Sequence, residues 1–360
     1  MRLLLTCHRD PFTHFGGSEK SIRSIATYLS RMGHRVTIAT KREPGVPYQS
    51  IHDGVESLAA FDPLKTGPFV TNRKLSSFFG FCGWDGVLLF GQNVWVTDEV
   101  WRDVGWWKNC ASHAKIVYMP VGFPDFHDWK KLIYFHVVQD HLIENADTVV
   151  ALTRDEVGQI RRLGRAQQLV QIPQGVDNAE FSNGHDESVR QRYRIPDGPL
   201  IINVGGNYRN KNLPMACLSV ARLNEILPEN SSATLVLIGC DTEQYSNSWV
   251  RGLGTIPDRD RNALYQESDV LLQTSGFEGF GLTLLEGLAS GIPFVSTRVG
   301  VAGELVDQGG GSLIQDLSGD AVAYRLWQET QEPRDAETLR SIAKRYDWSR
   351  VVPRLEALMR

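Results

Sequence analysis

The sequence alternates short apolar runs of β-strand type with longer segments of helical spacing along almost its whole length. Residues 3–6 are predicted to form a buried strand, and residues 36–40 supply the next one. Between them, apolar residues recur at helical spacing at Ile22, Ile25, Ala26, Leu29 and Met32. Ser18 is predicted to cap this helix and Gly33 to end it. Such alternation is typical of parallel sheets with helices on both faces, so an α/β fold is predicted.

One polar segment, residues 178–198, separates two strongly patterned halves. Further strands are predicted at Gly86–Phe90, Lys115–Met119, 148–152, Leu200–Val204, Thr234–Ile238, Val270–Gln273 and 293–296. A chain of 360 residues also exceeds the roughly 250–300 residues at which single cores stop growing. We therefore predict two doubly wound, Rossmann-like domains, over residues 1–177 and 178–342, with a C-terminal helix over about 343–360 that returns to the first domain.

Composition excludes several classes of protein. Hydrophobic residues make up 42% and charged residues 22% of the chain, which is the balance of an ordinary globular protein. The five cysteines form no Cys-x-x-Cys pair and no cluster with histidine, so free thiols are predicted and a zinc site is not. No apolar run approaches the ~20 residues that cross a bilayer. Together these features predict a cytoplasmic protein.

Charge is distributed unevenly between the two halves. Residues 1–175 carry 20 basic and 17 acidic side chains, whereas residues 176–360 carry 18 basic and 25 acidic ones. The net charge of −4 argues against a nucleic-acid-binding protein. The mildly basic first half leaves open a peripheral contact between the N-terminal domain and an anionic inner membrane face, although an asymmetry of this size commonly has no function.

Glycine-containing loops follow two predicted strands at places where an α/β sheet binds ligands. Gly16 and Gly17 precede the first helix and would let the backbone approach a phosphate or a sugar, although a simple turn accounts for them as well. Their loop lacks the Gly-x-Gly-x-x-Gly spacing, which disfavours a nicotinamide oxidoreductase. After the strand that ends at Val204, Arg209 and Lys211 could neutralise a leaving diphosphate, but this loop alone is ambiguous.

The most informative loop covers residues 276–293, in which Glu278 and Glu286 stand among glycines. On a single helix, side chains eight residues apart would diverge by about 80°, so Glu278 is predicted in the loop and Glu286 on the helix. The N–H groups of residues 280–283 would then bind an anion at the helix start. A nucleotide sugar fits this arrangement, with its diphosphate on the N–H groups and its hydroxyls on the carboxylates. Two solvated glutamates beside a glycine turn are the alternative interpretation.

Taken together, these segments resemble the family 4 retaining glycosyltransferases of the GT-B fold. The similarity runs almost the full length of the chain and keeps the order of the family. The matching segments are residues 16–19 with 33–37, 146–153, 172–177, 204–205 with 211–212, 268–270, the Glu-x7-Glu signature within 278–293, and 346–349. Such a resemblance implies two Rossmann-like domains that face each other across a cleft, with a C-terminal helix that crosses back to the first.

The activity implied by the resemblance is retaining transfer of a hexose from a UDP- or GDP-sugar, without a metal. The acceptor would be a saccharide, a glycolipid or a small-molecule hydroxyl. Two alternatives stay open: a nucleotide-sugar epimerase of the same fold, which needs no acceptor, and a non-catalytic protein that binds nucleotide sugars or glycans.

Residue roles are carried over from the family only at matching positions. Glu278 would contact the transferred sugar and Glu286 the ribose, and Lys211 matches a phosphate-binding lysine. Glu278, Arg209 and Lys211 are thus the candidate catalytic residues. The remaining donor-binding candidates are Gly16 and Gly17 from the first domain, Gly205, Ile256 near the base, and Gly279, Phe280, Gly281, Leu282 and Thr283 near the diphosphate.

Two features depart from the family pattern. Gly206 stands where the family usually has an arginine, so Arg209 is expected to substitute for it. Many members also have a histidine after the strand that corresponds to Lys115–Met119, where this chain has Pro-Val-Gly. The histidines nearby in sequence, His113, His127 and His136, do not align, so no catalytic histidine is predicted. In this family the donor phosphate is thought to receive the acceptor proton.

Two further patterns have a simpler structural interpretation. Asp258 and Asp260 mimic an Asp-x-Asp metal motif, but their position at a predicted helix start favours N-terminal helix carboxylates. Aromatic residues are concentrated in the first domain, where this fold holds the acceptor, at Trp84, Trp95, Trp101, Trp106, Trp107, Phe123, Phe126, Trp129 and Tyr134. Core packing is favoured over binding of sugar or lipid for the first five, Trp84 to Trp107. The last four, Phe123 to Tyr134, could form an apolar loop that contacts the acceptor or a membrane.

Overall fold

The computed structural model describes residues 1–14, 16–41, 43, 45–61, 83–91, 114–121, 138–182 and 186–360. The chain divides into two compact units. The first comprises Met1–Gln174 together with Trp348–Arg360, and the second comprises Gly175–Asp347. Each unit is built around a mainly parallel sheet with helices, which confirms the α/β prediction.

The first unit contains an eight-stranded sheet in the order β3-β4-β2-β1-β5-β6-β7-β8. Its strands are β1 (Arg2–Thr6), β2 (Arg35–Lys41), β3 (Gln49–His52), β4 (Val55–Phe61), β5 (Gly86–Phe90), β6 (Lys115–Met119), β7 (Thr148–Ala151) and β8 (Leu169–Gln171). All neighbouring strands are parallel except β3 and β4, which form an antiparallel pair. The strand order reverses at β1, which lies between β2 and β5.

Described helices of the first unit are α1 (Gly17–Arg31), α2 (Asp140–Asn145), α3 (Arg154–Leu163) and, from the end of the chain, α12 (Trp348–Leu358). The predicted cap of α1 is wrong: Gly16 occupies the N-cap position in an extended conformation, and Ser18 lies inside the first turn. Gly33 follows the last turn with a φ of +87°, a left-handed conformation that glycine adopts without strain, as predicted.

The terminal helix α12 packs against α1 inside the first unit. Its Glu356 carboxylate lies 3.0 Å from Nε2 of His34, just after α1. A Cβ placed on Gly86 would lie 2.7 Å from the Cβ of Met359, so only glycine lets β5 approach the chain end this closely. The chain was predicted to return to the first domain with a helix over about residues 343–360. In the structure this helix begins at Trp348, because residues 343–344 belong to the preceding helix.

The second unit contains a six-stranded parallel sheet in the order β11-β10-β9-β12-β13-β14. Its strands are β9 (Leu200–Val204), β10 (Thr234–Ile238), β11 (Val250–Gly252), β12 (Val270–Gln273), β13 (Phe294–Ser296) and β14 (Gly311–Leu313). Its helices are α4 (Asn178–Ser182), α5 (Val189–Arg192), α6 (Leu213–Ile226), α7 (Asp258–Glu267), α8 (Leu282–Ser290), α9 (Ala302–Val306), α10 (Gly319–Gln331) and α11 (Ala336–Lys344).

Apolar runs of the sequence form the cores of both sheets. In the first unit Leu4, Leu89 and Tyr118 are fully buried in one cluster, and Trp84 joins them with 8% exposure. Core packing is thereby confirmed for Trp84, whereas the other aromatic residues of the first-domain group lie outside the described residues. Among the residues that the structure describes, no helix is long and apolar enough to cross a membrane.

Candidate active site

The candidate site lies where the strand order of the second unit reverses. β9 is the first strand of this sheet in chain order. β10 and β11 lie on one side of β9, and β12 lies on the other. In open α/β sheets, ligands bind at the carboxyl ends of the two strands on either side of such a reversal. The segments that leave these strands are residues 205–212 after β9 and residues 274–281 after β12, and they contain most of the predicted site residues.

Hydrogen bonds join these two loops directly. The Thr274 hydroxyl lies 3.1 Å from the carbonyl oxygens of both Lys211 and Asn212. In the other direction, the Gly276 N–H donates to the Asn210 carbonyl over 2.8 Å, and the Asn210 side chain donates to the Phe277 carbonyl over 3.1 Å. The two loops therefore form one connected surface at the edge of the sheet.

Lys211 and Glu278 meet on this surface. The Nζ of Lys211 lies 2.7 Å from Oε1 of Glu278, and the Ser275 hydroxyl donates to the same oxygen over 2.6 Å. Both charged side chains are largely buried, with 18% and 13% exposure. A Cβ on Gly205 would lie 2.9 Å from Cε of Lys211, so the lysine stem occupies the space that a side chain would need. The structure thus brings Gly205, Lys211 and Glu278 together.

Arg209 stands in the short 3₁₀ turn Arg209–Lys211 and is exposed. Within the part of the chain that the structure describes, its guanidinium makes no ion pair or side-chain hydrogen bond. A Cβ on Gly206 would overlap with Sγ of Cys240 and lie 2.8 Å from the ring of Tyr208, so both side chains would have to move to admit a larger residue. Cys240 and Tyr208 thus fill the space beside Gly206, and Arg209 supplies an exposed cation on the same loop.

Helix α8 begins beside this surface. Its N-cap is Gly281, which has a φ of +96°. The N–H groups of Leu282 and Thr283 lie in the first turn, where a helix provides them with no carbonyl partner. The carbonyl of the buried Phe280 accepts from the Val301 N–H over 2.8 Å, which fixes the loop, including Gly279, in front of the helix. The first turn of α8 is thus a site of positive electrostatic potential.

Glu286 has different partners from Glu278. It lies on the second turn of α8 with 6% exposure, and its Oε2 accepts a hydrogen bond of 3.0 Å from the phenol of Tyr265. Tyr265 is fully buried on α7, and burial followed by the Glu286 charge raises its pKa well above the ordinary value. Tyr265 was not predicted from the sequence, because nothing in its local pattern distinguishes it from a core aromatic residue.

Ile256 is half-buried in the segment that follows β11, before α7. This segment is tied to the end of β10, since the Gly254 N–H donates to the Thr242 hydroxyl over 2.9 Å and the Gly254 carbonyl accepts from Gly239 over 2.8 Å. Ile256 therefore lies on the same carboxyl edge as the other candidates, two strands away from β9.

Gly16 and Gly17 belong to the first unit, where they precede and begin α1. Gly16 is exposed, and a Cβ on it would overlap with the Glu19 carboxylate. His8, which follows β1 at the strand-order reversal of this unit, was also not among the residues predicted from the sequence. His8 is half-buried, and its pKa is lowered by burial and then by Lys41. Among the described residues, its Nδ1 has no hydrogen-bond partner.

Asp258 and Asp260 lie in the first turn of α7, as predicted. Asp258 pairs with Arg261 over 2.6 Å, and Asp260 pairs with Arg192 over 2.7 Å. Among the described residues no group of three or more histidine, cysteine or acidic side chains is placed to hold a metal. Phe15, His113, His127 and His136 lie outside the described residues.

Two family models match the chain in succession. A model described as “Glycosyl transferase 4-like domain” matches residues 16–175, and one described as “Glycosyl transferases group 1” matches residues 185–345. Among curated proteins, the D-inositol 3-phosphate glycosyltransferase of Corynebacterium urealyticum is 24% identical over 99% of this chain and 94% of that protein.

Solved structures give the same result for the fold. Sucrose-phosphate synthase from Thermosynechococcus elongatus has a TM-score of 0.77 at 21% identity, over 99% of this chain and 98% of that one. HepE of Anabaena, in complex with UDP-glucose, has a TM-score of 0.73 at 18% identity over the same shares of the two chains. The likeness extends over both units.

Proposed function

This chain is a family 4 glycosyltransferase of the GT-B fold, and we propose that it transfers a hexose from a UDP- or GDP-sugar with retention of configuration and without a metal. The acceptor is the hydroxyl of a saccharide, a glycolipid or a small molecule. The observation that carries this proposal is the Lys211–Glu278 ion pair beside the first turn of α8, at the strand-order reversal of the second unit.

The donor diphosphate binds at the first turn of α8 in this proposal. The N–H groups of Leu282 and Thr283 point toward an anion at that position, and Lys211 and Arg209 supply two cations from the loop after β9. As the glycosidic bond breaks, negative charge grows on the departing diphosphate. Fixed donors and cations in a partly buried site stabilise that charge more than water does, which lowers the barrier.

Glu278 contacts the transferred sugar. Its carboxylate is already oriented by Lys211 and Ser275, so it needs no reorganisation to accept hydrogen bonds from sugar hydroxyls. Glu286 binds the ribose hydroxyls and Ile256 lies against the base. The proton of the acceptor passes to a phosphate oxygen of the donor on the same face of the sugar, so the reaction requires no histidine.

Two relatives support the choice of substrates. HepE of Anabaena was solved with UDP-glucose, which supports a nucleoside diphosphate sugar as donor. The curated Corynebacterium urealyticum protein is named for D-inositol 3-phosphate, which supports a polyhydroxyl compound among the acceptors to be tried first. We assign the second unit to donor binding and the first unit to acceptor binding.

A thermal-shift experiment tests the donor. EDTA-treated protein is heated with UDP, GDP, ADP and their sugars, because a ligand that binds only the folded state raises the melting temperature. A clear shift with UDP or GDP compounds in EDTA is expected, and no shift with any nucleotide would contradict the proposal. Donor consumption is then measured with and without acceptor, and consumption that needs no acceptor would indicate an epimerase instead.

A further inference from the structure

The carboxylate of Glu286 is held by a hydrogen bond from a neighbouring helix of the same unit. Glu286 lies on α8, whereas the phenol that donates to its Oε2 over 3.0 Å belongs to Tyr265 on α7. Tyr265 is fully buried, and its raised pKa means that the phenol keeps its proton at neutral pH and acts as a donor. A glutamate on a helix has several rotamers, and a buried donor selects one of them.

Tyr265 is itself fixed by the short helix α4. The ring of Phe181 meets the ring of Tyr265 edge to face, with 5.7 Å between centroids and an angle of 85° between planes. Both rings are fully buried. The Gln266 side chain, next to Tyr265, donates to the Phe181 carbonyl over 2.8 Å. The edge-to-face pair and this hydrogen bond keep the Tyr265 ring from turning away from Glu286.

Arg261, one turn before Tyr265 on α7, makes further contacts between α7 and α4. Its guanidinium pairs with Glu180 of α4 over 3.1 Å and lies 5.8 Å from the centre of the Phe181 ring. Burial opposes the charge of Arg261, but the carboxylates of Glu286, Asp258 and Glu180 outweigh that effect and raise its pKa. A permanent positive charge therefore lies on the same side of α7 as the Tyr265–Glu286 hydrogen bond, where it attracts the Glu286 carboxylate.

We propose that Tyr265 is a positioning residue for donor binding, which holds Glu286 in the rotamer that meets the ribose hydroxyls, while α4 holds Tyr265 through Phe181 and Arg261. This inference rests on the proposed role of Glu286 in ribose binding. It extends the donor site beyond the Glu-x7-Glu segment to a residue on another helix, and it assigns a supporting role to α4.

Isothermal titration of the Tyr265→Phe variant tests the proposal. Dissociation constants are measured for UDP and GDP and for their 2′,3′-dideoxy analogues, and the nucleotide that the wild type binds is used throughout. Wild-type protein is expected to bind the ribonucleotide more tightly than the dideoxy analogue. Tyr265→Phe is expected to weaken ribonucleotide binding roughly tenfold, with binding of the dideoxy analogue unchanged, because only the ribose hydroxyls need an oriented Glu286.

Tyr193→Phe is the matched control. The Tyr193 phenol also donates to a carboxylate on α7, since it lies 2.7 Å from Oδ2 of Asp260. That substitution removes a phenol–carboxylate hydrogen bond from the same helix, at a partly buried position and without touching Glu286. Both dissociation constants are expected to stay at the wild-type values. Equal weakening of both nucleotides by Tyr265→Phe would show a merely structural role and overturn the proposal, as would no weakening of either.

A double variant keeps the test decisive if Tyr265→Phe lowers stability. In a Glu286→Gln background, Tyr265→Phe is expected to cause no further loss of ribonucleotide affinity, because the two residues act through one contact. Additive losses would contradict the inference. The wild-type titrations test the donor site separately from the role of Tyr265. Absence of nucleotide binding, or equal affinity for the ribo and dideoxy forms, would refute the proposed donor site itself.

Discussion

The ammonium group of Lys211 lies 2.7 Å from the carboxylate of Glu278, although the two residues are 67 positions apart in the chain. They are brought together because β9 and β12 are adjacent parallel strands whose carboxyl ends meet at one edge. The pair is largely buried, so removal of either residue leaves the other charge with a poorer partner. In the proposed reaction the Glu278 carboxylate contacts the transferred sugar, and the Lys211 ammonium group stabilises the departing diphosphate.

Substitution of either member of this pair is expected to lower turnover by roughly two to three orders of magnitude. Glu278→Ala removes the contact to the transferred sugar, and Lys211→Ala removes a cation from the departing diphosphate. Circular dichroism should show both variants folded, because the strands do not depend on the pair. In Lys211→Ala, Ser275 also still donates to Glu278. Arg222→Ala removes an exposed pair with Glu225 and should leave turnover unchanged. Normal activity in either site variant would refute the assignment.

Arg209 provides a separate test, because its exposed guanidinium makes no ion pair or side-chain hydrogen bond among the described residues. Arg209→Ala is expected to lower kcat/KM by about tenfold to a hundredfold with the melting temperature unchanged. The control Arg259→Ala removes an arginine of 81% side-chain exposure on α7, and it should retain wild-type kinetics. Wild-type kcat/KM in Arg209→Ala would show that Arg209 does not replace the arginine usual at Gly206.

Regular elements with a clear apolar pattern could be predicted from the sequence. The strands Leu200–Val204 and Thr234–Ile238 were predicted with the observed bounds, since every residue of these two runs except Asn203 is apolar or β-branched. The β3–β4 hairpin and the edge strand β11 were not predicted, because their short runs of mixed polarity owe their conformation to a neighbouring strand. Ser18 failed as a cap because Gly16 takes that position, and local preference did not decide between them.

The candidate site was predictable only in part. Parallel strands place their carboxyl ends together, so the proximity of Lys211 and Glu278 could be expected once both loops were recognised. The hydrogen bond between Tyr265 and Glu286 could not, because it depends on how two helices pack, which no local spacing encodes. The contact between Gly206 and Cys240 was equally hidden, since Cys240 reaches it from the end of another strand.

Gly281 allows stability and function to be separated. It has a φ of +96° at the N-cap of α8, so Gly281→Ala is expected to cost about 1 kcal/mol of unfolding free energy and to displace the N–H groups of Leu282 and Thr283. Nucleotide affinity should fall as well, which isothermal titration measures. Gly309→Ala is the control: its φ of +89° imposes similar strain in open space away from the site. Equal affinity in the two variants would argue against anion binding at α8.

Glu356 makes the stability of the first unit depend on pH. Arg360 donates to both of its oxygens over 2.9 and 3.0 Å, and Nε2 of His34 lies 3.0 Å away. Arg360 first, and then His34, lower the pKa of Glu356. A carboxyl group whose pKa is lower in the folded state stabilises the fold above its unfolded value of about 4.3, and that contribution disappears as pH falls through the folded value.

Glu356→Gln is therefore expected to lower the free energy of unfolding by about 1 kcal/mol at pH 7 and by progressively less below about pH 4.3. Urea unfolding of wild type and variant across this pH range measures the difference. Glu337→Gln should show no difference at any pH, since its pair with Arg340 is exposed and surface pairs contribute little. A destabilisation by Glu356→Gln that is the same at pH 7 and pH 3.5 would mean that the carboxylate acts through packing, and that its charge does not hold α12 against the rest of the first unit.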